Sequence, residues 1–306
     1  MKEFYSNGKL LLTGEYVVLD GALSLAIPTS YGQFLEVTSI DKPKITWKSL
    51  DFENHVWFES EFDIKNNKIT ASLTPRNDND KEKRLLRILQ EAKKLNPEFL
   101  NSHLGFEVTS KLDFPQNWGL GSSSTLINNI ANWSKVDAYK LLELTFGGSG
   151  YDIACAQYNF PITYKLFNKN KRSVEKVDFN PPFKESLYFV YLNKKQNSRD
   201  GITHYKASTL NKTEAIKEIS DITLKLINCS KISEFEMLIN KHENIIASII
   251  KQVPVKEKLF ADFNGSIKSL GAWGGDFVLV TSKENPKDYF NSKGYRTIIP
   301  YSKMIK

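Results

Sequence analysis

Cysteine, histidine and methionine are all scarce in this chain, and no apolar run reaches the length of a membrane span. Cys155 and Cys229 are too few and too far apart for a disulfide framework, and neither has the close Cys or His partner of a zinc site. Reduced thiols are expected. His55, His103, His204 and His242 lack metal-ligand spacing, which disfavours a metal held by histidines. The opening MKEFYSNGK has none of the apolar core of a secretory leader, so a cytoplasmic protein without membrane attachment is expected. A basic stripe is missing too. Lys plus Arg total 42 against 35 Asp plus Glu, but the cations are dispersed. The stretches KNKR at 169–172 and NKKQNSR at 193–199 are short enough to be solvated turns, so nucleic acid is not an expected partner.

What is present is a core large enough for two domains: 306 residues, 41% of them hydrophobic. Strand, turn and strand open the chain, with apolar runs at 10–12 and 16–19, an Asp20-Gly21 turn and then LSLAI. Short strands are expected around 33–38, 44–48, 55–60 and 68–73, and KEKRLLRILQEAKKL at 81–95 has apolar residues at helical spacing. HLGFEVTSKL reads as a strand. Helices follow near 123–134 and 137–146, and another opens in GGSGYDIACAQY. NPPF at 180–183 breaks the pattern ahead of SLYFVYL, a buried-strand candidate, and places a boundary near 180, giving domains 1–180 and 181–306. Helical patterns fill 211–228, 232–250 and 254–262, SIKSLGAWGGDFVLVTS reads as two strands around a glycine turn, and a last helix and strand span 286–299.

PQNWGLGSSST, residues 115–125, puts two glycines and three serines at the mouth of a helix. Ser122, Ser123 and Ser124 can cap it, while Gly119 and Gly121 permit backbone angles that let several N–H groups converge. Such a helix N-terminus suits phosphate, and a serine hydroxyl there can ligate magnesium. The same residues also suit an ordinary capped helix after a glycine turn. Two further glycine clusters, GGSGYD and GAWGGD, join the opening GKLLLTGEY in one set. No G-x-x-x-x-G-K-[ST] loop, H-R-D loop or G-x-S-x-G elbow accompanies them, which argues against P-loop enzymes, protein kinases and α/β-hydrolases.

The ordered set GKLLLTGEYVVLDG, P-x-x-x-GLGSSS and GAWGGDFVLV resembles the three motifs of the GHMP small-molecule kinases, and it spans almost the whole chain. The resemblance implies an α+β fold, a two-domain α/β sandwich with an N-terminal phosphate-loop domain and a C-terminal ferredoxin-like domain. It implies ATP and Mg²⁺ as cofactors, with Pro115, Gly119, Leu120, Gly121, Ser122, Ser123, Ser124, Gly274 and Gly275 around the nucleotide. Asp152 takes the catalytic aspartate position and Lys9 that of the motif lysine. Glu15-Tyr16, GSGYDIACA, KKQNSR and GGD are most similar to the phosphomevalonate kinase branch. That likeness implies acceptor contacts from Glu15, Tyr16, Ser149, Gly150, Lys195, Gln196, Ser198 and Arg199. Ser124 and Glu143 are the implied magnesium ligands.

Phosphomevalonate is thus the expected acceptor. Mevalonate is the alternative, as is a degenerate member that binds a ligand without turnover; a homodimer is compatible with either. Thr125 stands where the family favours alanine, Trp273 interrupts Gly-Ala-Gly-Gly, and the span from Ser124 to Asp152 is short. From the residues themselves, Asp152 also suits a helix cap, Lys9 a solvated turn and Asp276 a turn-stabilising aspartate.

Overall fold

A computed structural model describes residues 1–65, 68–71, 79–101, 104–196, 198–207 and 211–306, with only the backbone of Asn79, Ser198, Arg199, Asp200 and His204. In chain order the elements are β1 (Lys2–Leu11), β2 (Ser24–Ile40), β3 (Lys44–Leu50), β4 (Val56–Lys65), β5 (Lys68–Ala71), α1 (Asn79–Leu95), β6 (Gly105–Leu112), α2 (Ser122–Ser134), α3 (Ala138–Thr145) and α4 (Tyr151–Gln157). After these come β7 (Ile162–Asn168), β8 (Lys171–Lys176), β9 (Leu187–Tyr191), α5 (Ser198–Ala207), α6 (Thr213–Ile227), α7 (Ile232–Ile250), α8 (Val255–Leu259), β10 (Ile267–Ser269), β11 (Phe277–Thr281), α9 (Lys287–Ser292), β12 (Ile298–Pro300) and α10 (Tyr301–Met304). They form two compact units. One comprises residues 1–8, 31–116 and 121–157; the other comprises 9–30, 117–120 and 158–306.

In the first unit the strand order is β5-β4-β3-β6-β2. β3 and β6 run parallel, which is why a long crossover through β4, β5 and α1 separates them in sequence. The period of α1 explains its docking: Leu85, Ile88, Leu89 and Ala92 recur at helical spacing and are all buried, with Lys and Glu between them. Trp133 of α2 meets Phe99 edge to face at 4.8 Å in the same core.

The second unit holds an antiparallel sheet of order β10-β11-β9-β12. All of β11 is buried, as its unbroken run FVLVT requires of a central strand covered on both faces. Phe260, Phe263 and Phe290 pack together beside it. Here too the start of β2 pairs with β7 at residues 24–26, and β7 pairs with β8.

Most expected elements form where the periodicity places them. Residues 16–19 do not make a strand: Val17–Asp20 is a 3-10 turn, closed by the N–H groups of Val17 and Val18 on the carbonyls of Glu15 and Gly14. The run is apolar because Val17 and Val18 are buried, and burial alone does not distinguish a strand from a tight turn. The β7–β8 hairpin and α5 were not expected. Residues 72 and 73, at the end of one expected strand, lie outside the described residues, as does His103.

Leu89 is fully buried in the first core. Leu89→Ala is expected to lower the unfolding free energy by about 2–5 kcal/mol in urea titration, whereas truncating a solvent-facing lysine of α1 should change it by no more than about 0.5 kcal/mol.

Candidate active site

Lys9 lies at the end of β1. Its N–H donates to the Leu120 carbonyl at 2.9 Å, and its ammonium donates to the Gly119 carbonyl at 3.0 Å. Gly119 has a positive φ of 70°, and a Cβ built on it would fall within 2.6 Å of both Asp276 carboxylate oxygens, so the close approach demands glycine. Lys9, Trp118, Gly119, Gly271 and Asp276 line a small cleft. Trp118 stands edge-on to Phe277 at 5.4 Å, and the Tyr191 hydroxyl holds the Asn117 carbonyl at 3.0 Å, which fixes residues 117–120 on the β9–β11 sheet. In the third glycine motif, Gly274 has φ 86° with open space where a Cβ would stand, and Gly275 is closed in by the Lys194 carbonyl and Gln196.

The same unit holds a buried charge cluster that the sequence did not announce. Lys268, a lysine inside β10, is fully buried against Glu15 and also donates to the Ser269 carbonyl at 2.8 Å. Glu243 of α7 accepts from the Ser269 hydroxyl at 2.6 Å and from its N–H at 3.1 Å. His242 Nε2 accepts the Gly14 N–H at 2.9 Å, so its proton sits on Nδ1, and it stands 3.2 Å from Glu15 Oε2. That contact is not an ion pair. Burial, followed by the Lys268 charge, pushes the imidazole pKa well down, so the ring is neutral. Two lone-pair atoms would face each other unless one took a proton, and burial favours Glu15 as its home. Desolvation lifts the Glu15 carboxyl to about 7, against the opposing pull of Lys268, and raises Glu243 as well. Glu15 is therefore held in the interior.

Tyr16 is also inside. It has φ 65°, stacks on Tyr205 at 5.8 Å, and accepts the Trp273 N–H on its hydroxyl at 3.3 Å. Trp273 itself is buried and does not line the cleft. Lys195 is exposed and Gln196 half-buried just ahead of α5; the side chains of Ser198 and Arg199 lie outside the described residues.

The first unit carries the rest of the predicted site. Gly121, with φ 93°, is the N-cap of α2, and no side chain caps that end, contrary to the capping expected of the serines. Ser124 is buried and its hydroxyl donates back to the Gly121 carbonyl at 2.8 Å. The first intrahelical bond is Thr125 N–H to Gly121, which leaves the N–H groups of Ser122, Ser123 and Ser124 without helical acceptors, the arrangement that binds an anion. Thr125 is absorbed by packing, its hydroxyl bonded to Gln33 at 2.7 Å.

Pro115 precedes this loop, half-buried. Asp152 stands in the first turn of α4, half-buried, with Oδ1 accepting the Ile153 N–H at 3.1 Å, and Ser149 is buried beside Gly150, whose φ is 89°. Glu143 pairs with Lys140 at 3.1 Å on the exposed side of α3. Among the described residues, the one group of three metal-type side chains is Asp51, Glu53 and His55, in the β3–β4 turn.

Neither a family model nor a curated protein matches the sequence. Solved structures do. Methanococcus jannaschii mevalonate kinase aligns at TM-score 0.71 and 18% identity over 97% of this chain and 96% of its own. The Streptococcus pneumoniae phosphomevalonate kinase bound to phosphomevalonate and AMPPNP aligns at 0.71 and 17%, covering 96% and 98%. The chain has the GHMP kinase fold. Lactococcus lactis galactokinase, bound to galactose, shares it at 0.68 and 13% identity over 100% and 93% of the two chains. The fold is common to sugar and mevalonate-pathway kinases and so does not choose the acceptor.

Glu15 generates a pH prediction. Its folded-state pKa of about 7 exceeds the ordinary 4.5, so the native state holds a proton that the unfolded chain releases, and its contribution to stability declines as pH rises through that window. The depressed pKa of His242 works in the opposite sense, so wild type must be compared with Glu15→Gln. The stability difference, wild type minus variant, should fall between pH 5 and 8 by up to about 1.4 kcal/mol per pH unit in chemical denaturation. A flat or rising difference would contradict the buried-carboxyl account.

Proposed function

We propose that this protein is a GHMP-type phosphotransferase that moves the γ-phosphoryl group of ATP to a small acceptor, phosphomevalonate by preference. The observation that carries the reading is the Lys9–Gly119–Asp276 arrangement, which builds a cation and a glycine-walled cleft from the three ordered motifs. Phosphoryl transfer asks a protein mainly for positioning and charge neutralisation. The N–H groups of Ser122, Ser123 and Ser124 are suited to hold phosphate oxygens, and Lys9 to steady developing charge. Asp152, fixed in the first turn of α4, would orient the acceptor oxygen and take its proton where it carries one. The bond from the γ-phosphorus to its bridging oxygen breaks, a bond to the acceptor oxygen forms, and ADP leaves. Magnesium, when bound with ATP, supplies charge neutralisation on the β- and γ-phosphates; Ser124 is the hydroxyl nearest to that role, after turning from the Gly121 carbonyl.

Two of the departures from the family motifs are accounted for by packing: Trp273 is buried and Thr125 bonds Gln33. Support for a phosphorylated acceptor comes from Lys194, Lys195 and Gln196, a cationic, hydrogen-bonding segment that follows the β9 strand.

Turnover measured side by side is expected to give a higher kcat/KM for phosphomevalonate than for mevalonate; the reverse order would reassign the acceptor. Asp152→Asn should lower kcat by at least roughly 100-fold with nucleotide affinity nearly unchanged. A matching loss of folding stability, with kcat preserved, would instead make Asp152 a helix cap.

A further inference from the structure

Asp276 is the residue of the third motif that a turn alone does not explain. Its backbone is in the left-handed region, φ 54°, and it is only 8% exposed. The chain from Leu192 to Gln196 wraps around it: the Leu192 N–H donates to its carbonyl at 2.8 Å, its own N–H donates to the Lys194 carbonyl at 2.7 Å, and the Gln196 N–H donates to its Oδ1 at 3.1 Å. The other face of the carboxylate meets Gly119 and approaches Gly271. Burial raises its pKa, while the charges of Lys9 and Lys195 and the Gln196 N–H draw it back. One side chain thus touches the glycine that carries Lys9 and the segment that carries Lys195.

The geometry points to Asp276 as a positioning residue for acceptor binding: its carboxylate fixes the Lys195–Gln196 segment against the Gly119 loop and so sets where the acceptor-side cations stand. This rests on the acceptor-side reading of residues 194–199. The carboxylate touches no reacting atom in this scheme; it acts through the Gln196 amide. A shape-matched acceptor oxygen at position 276 should therefore preserve most of the effect, and loss of that oxygen should free the segment without unfolding the protein.

The test compares Asp276→Ala with Asp276→Asn. In steady-state kinetics with ATP and phosphomevalonate, Asp276→Ala should raise the acceptor KM by roughly tenfold or more, the scale of one charge-assisted hydrogen bond, with the ATP KM changed by less than about threefold. Asp276→Asn, which keeps an oxygen for the Gln196 N–H, should recover most of the loss. A second readout needs no turnover. Lys194 and Lys195 are exposed, so trypsin cleavage of the folded protein at these bonds should quicken at least about tenfold in Asp276→Ala and stay near wild type in Asp276→Asn, at similar Tm.

Wild-type acceptor KM and cleavage rate in Asp276→Ala would overturn the proposal. So would equal rises in both KM values with a falling Tm, or an Asn variant as impaired as the Ala variant. If the wild-type protein turned over no acceptor, the proposed function would fail on its own, and the cleavage rates would still decide whether Asp276 holds this segment.

Discussion

Lys9 and Asp276 meet Gly119 from different sides, the ammonium through the glycine carbonyl and the carboxylate through its Cα, and that glycine has no room for a side chain. Three stretches of chain, ending β1, preceding α2 and opening β11, are brought together by this contact. Each would be an ordinary turn by itself. Placed together, they set a cation beside a run of backbone that leads directly into the N-terminus of α2.

In the same unit, the Glu15–Lys268–Glu243–His242 cluster joins the loop after β1, β10 and α7. Buried charges of this kind are weak evidence for net stability, because desolvation offsets much of their attraction. What they provide is uniqueness: an ammonium in an apolar interior tolerates few arrangements other than one with its carboxylates in place. Glu15, next to Gly14, and Tyr16 after it are both interior residues.

The longer helices were legible because their periods are long and their apolar stripes clean, as in α1, where Leu85, Ile88, Leu89 and Ala92 share one face, whereas α5 was not. The buried runs of β9 and β11 were legible for the same reason of length and flanking breaks. YVVL misled, since four apolar residues fit a strand and a buried 3-10 turn equally well. The β7–β8 hairpin escaped because lysines on strands exposed to solvent carry no alternation. At the site, glycine positions could be read directly, since positive φ at Gly119, Gly121, Gly271 and Gly274 is a chemical requirement. The acidic and basic partners could not. Nothing around Lys268 in the sequence marks it as buried, and Asp276 also suits a turn aspartate. Pairings between distant stretches, such as Glu15 with Lys268 and Gln196 with Asp276, leave no local trace.

The central claim is that the loop through Gly119 into α2 cradles nucleotide phosphates. Calorimetric titration of wild type and Gly119→Ala with Mg²⁺ and a non-hydrolysable ATP analogue tests it most directly. The account predicts binding by wild type and a loss of affinity of at least roughly tenfold in the variant, because the added methyl group displaces the Asp276 carboxylate and moves the loop from Lys9. Equal affinities in two equally folded proteins, or no binding by wild type, would contradict it.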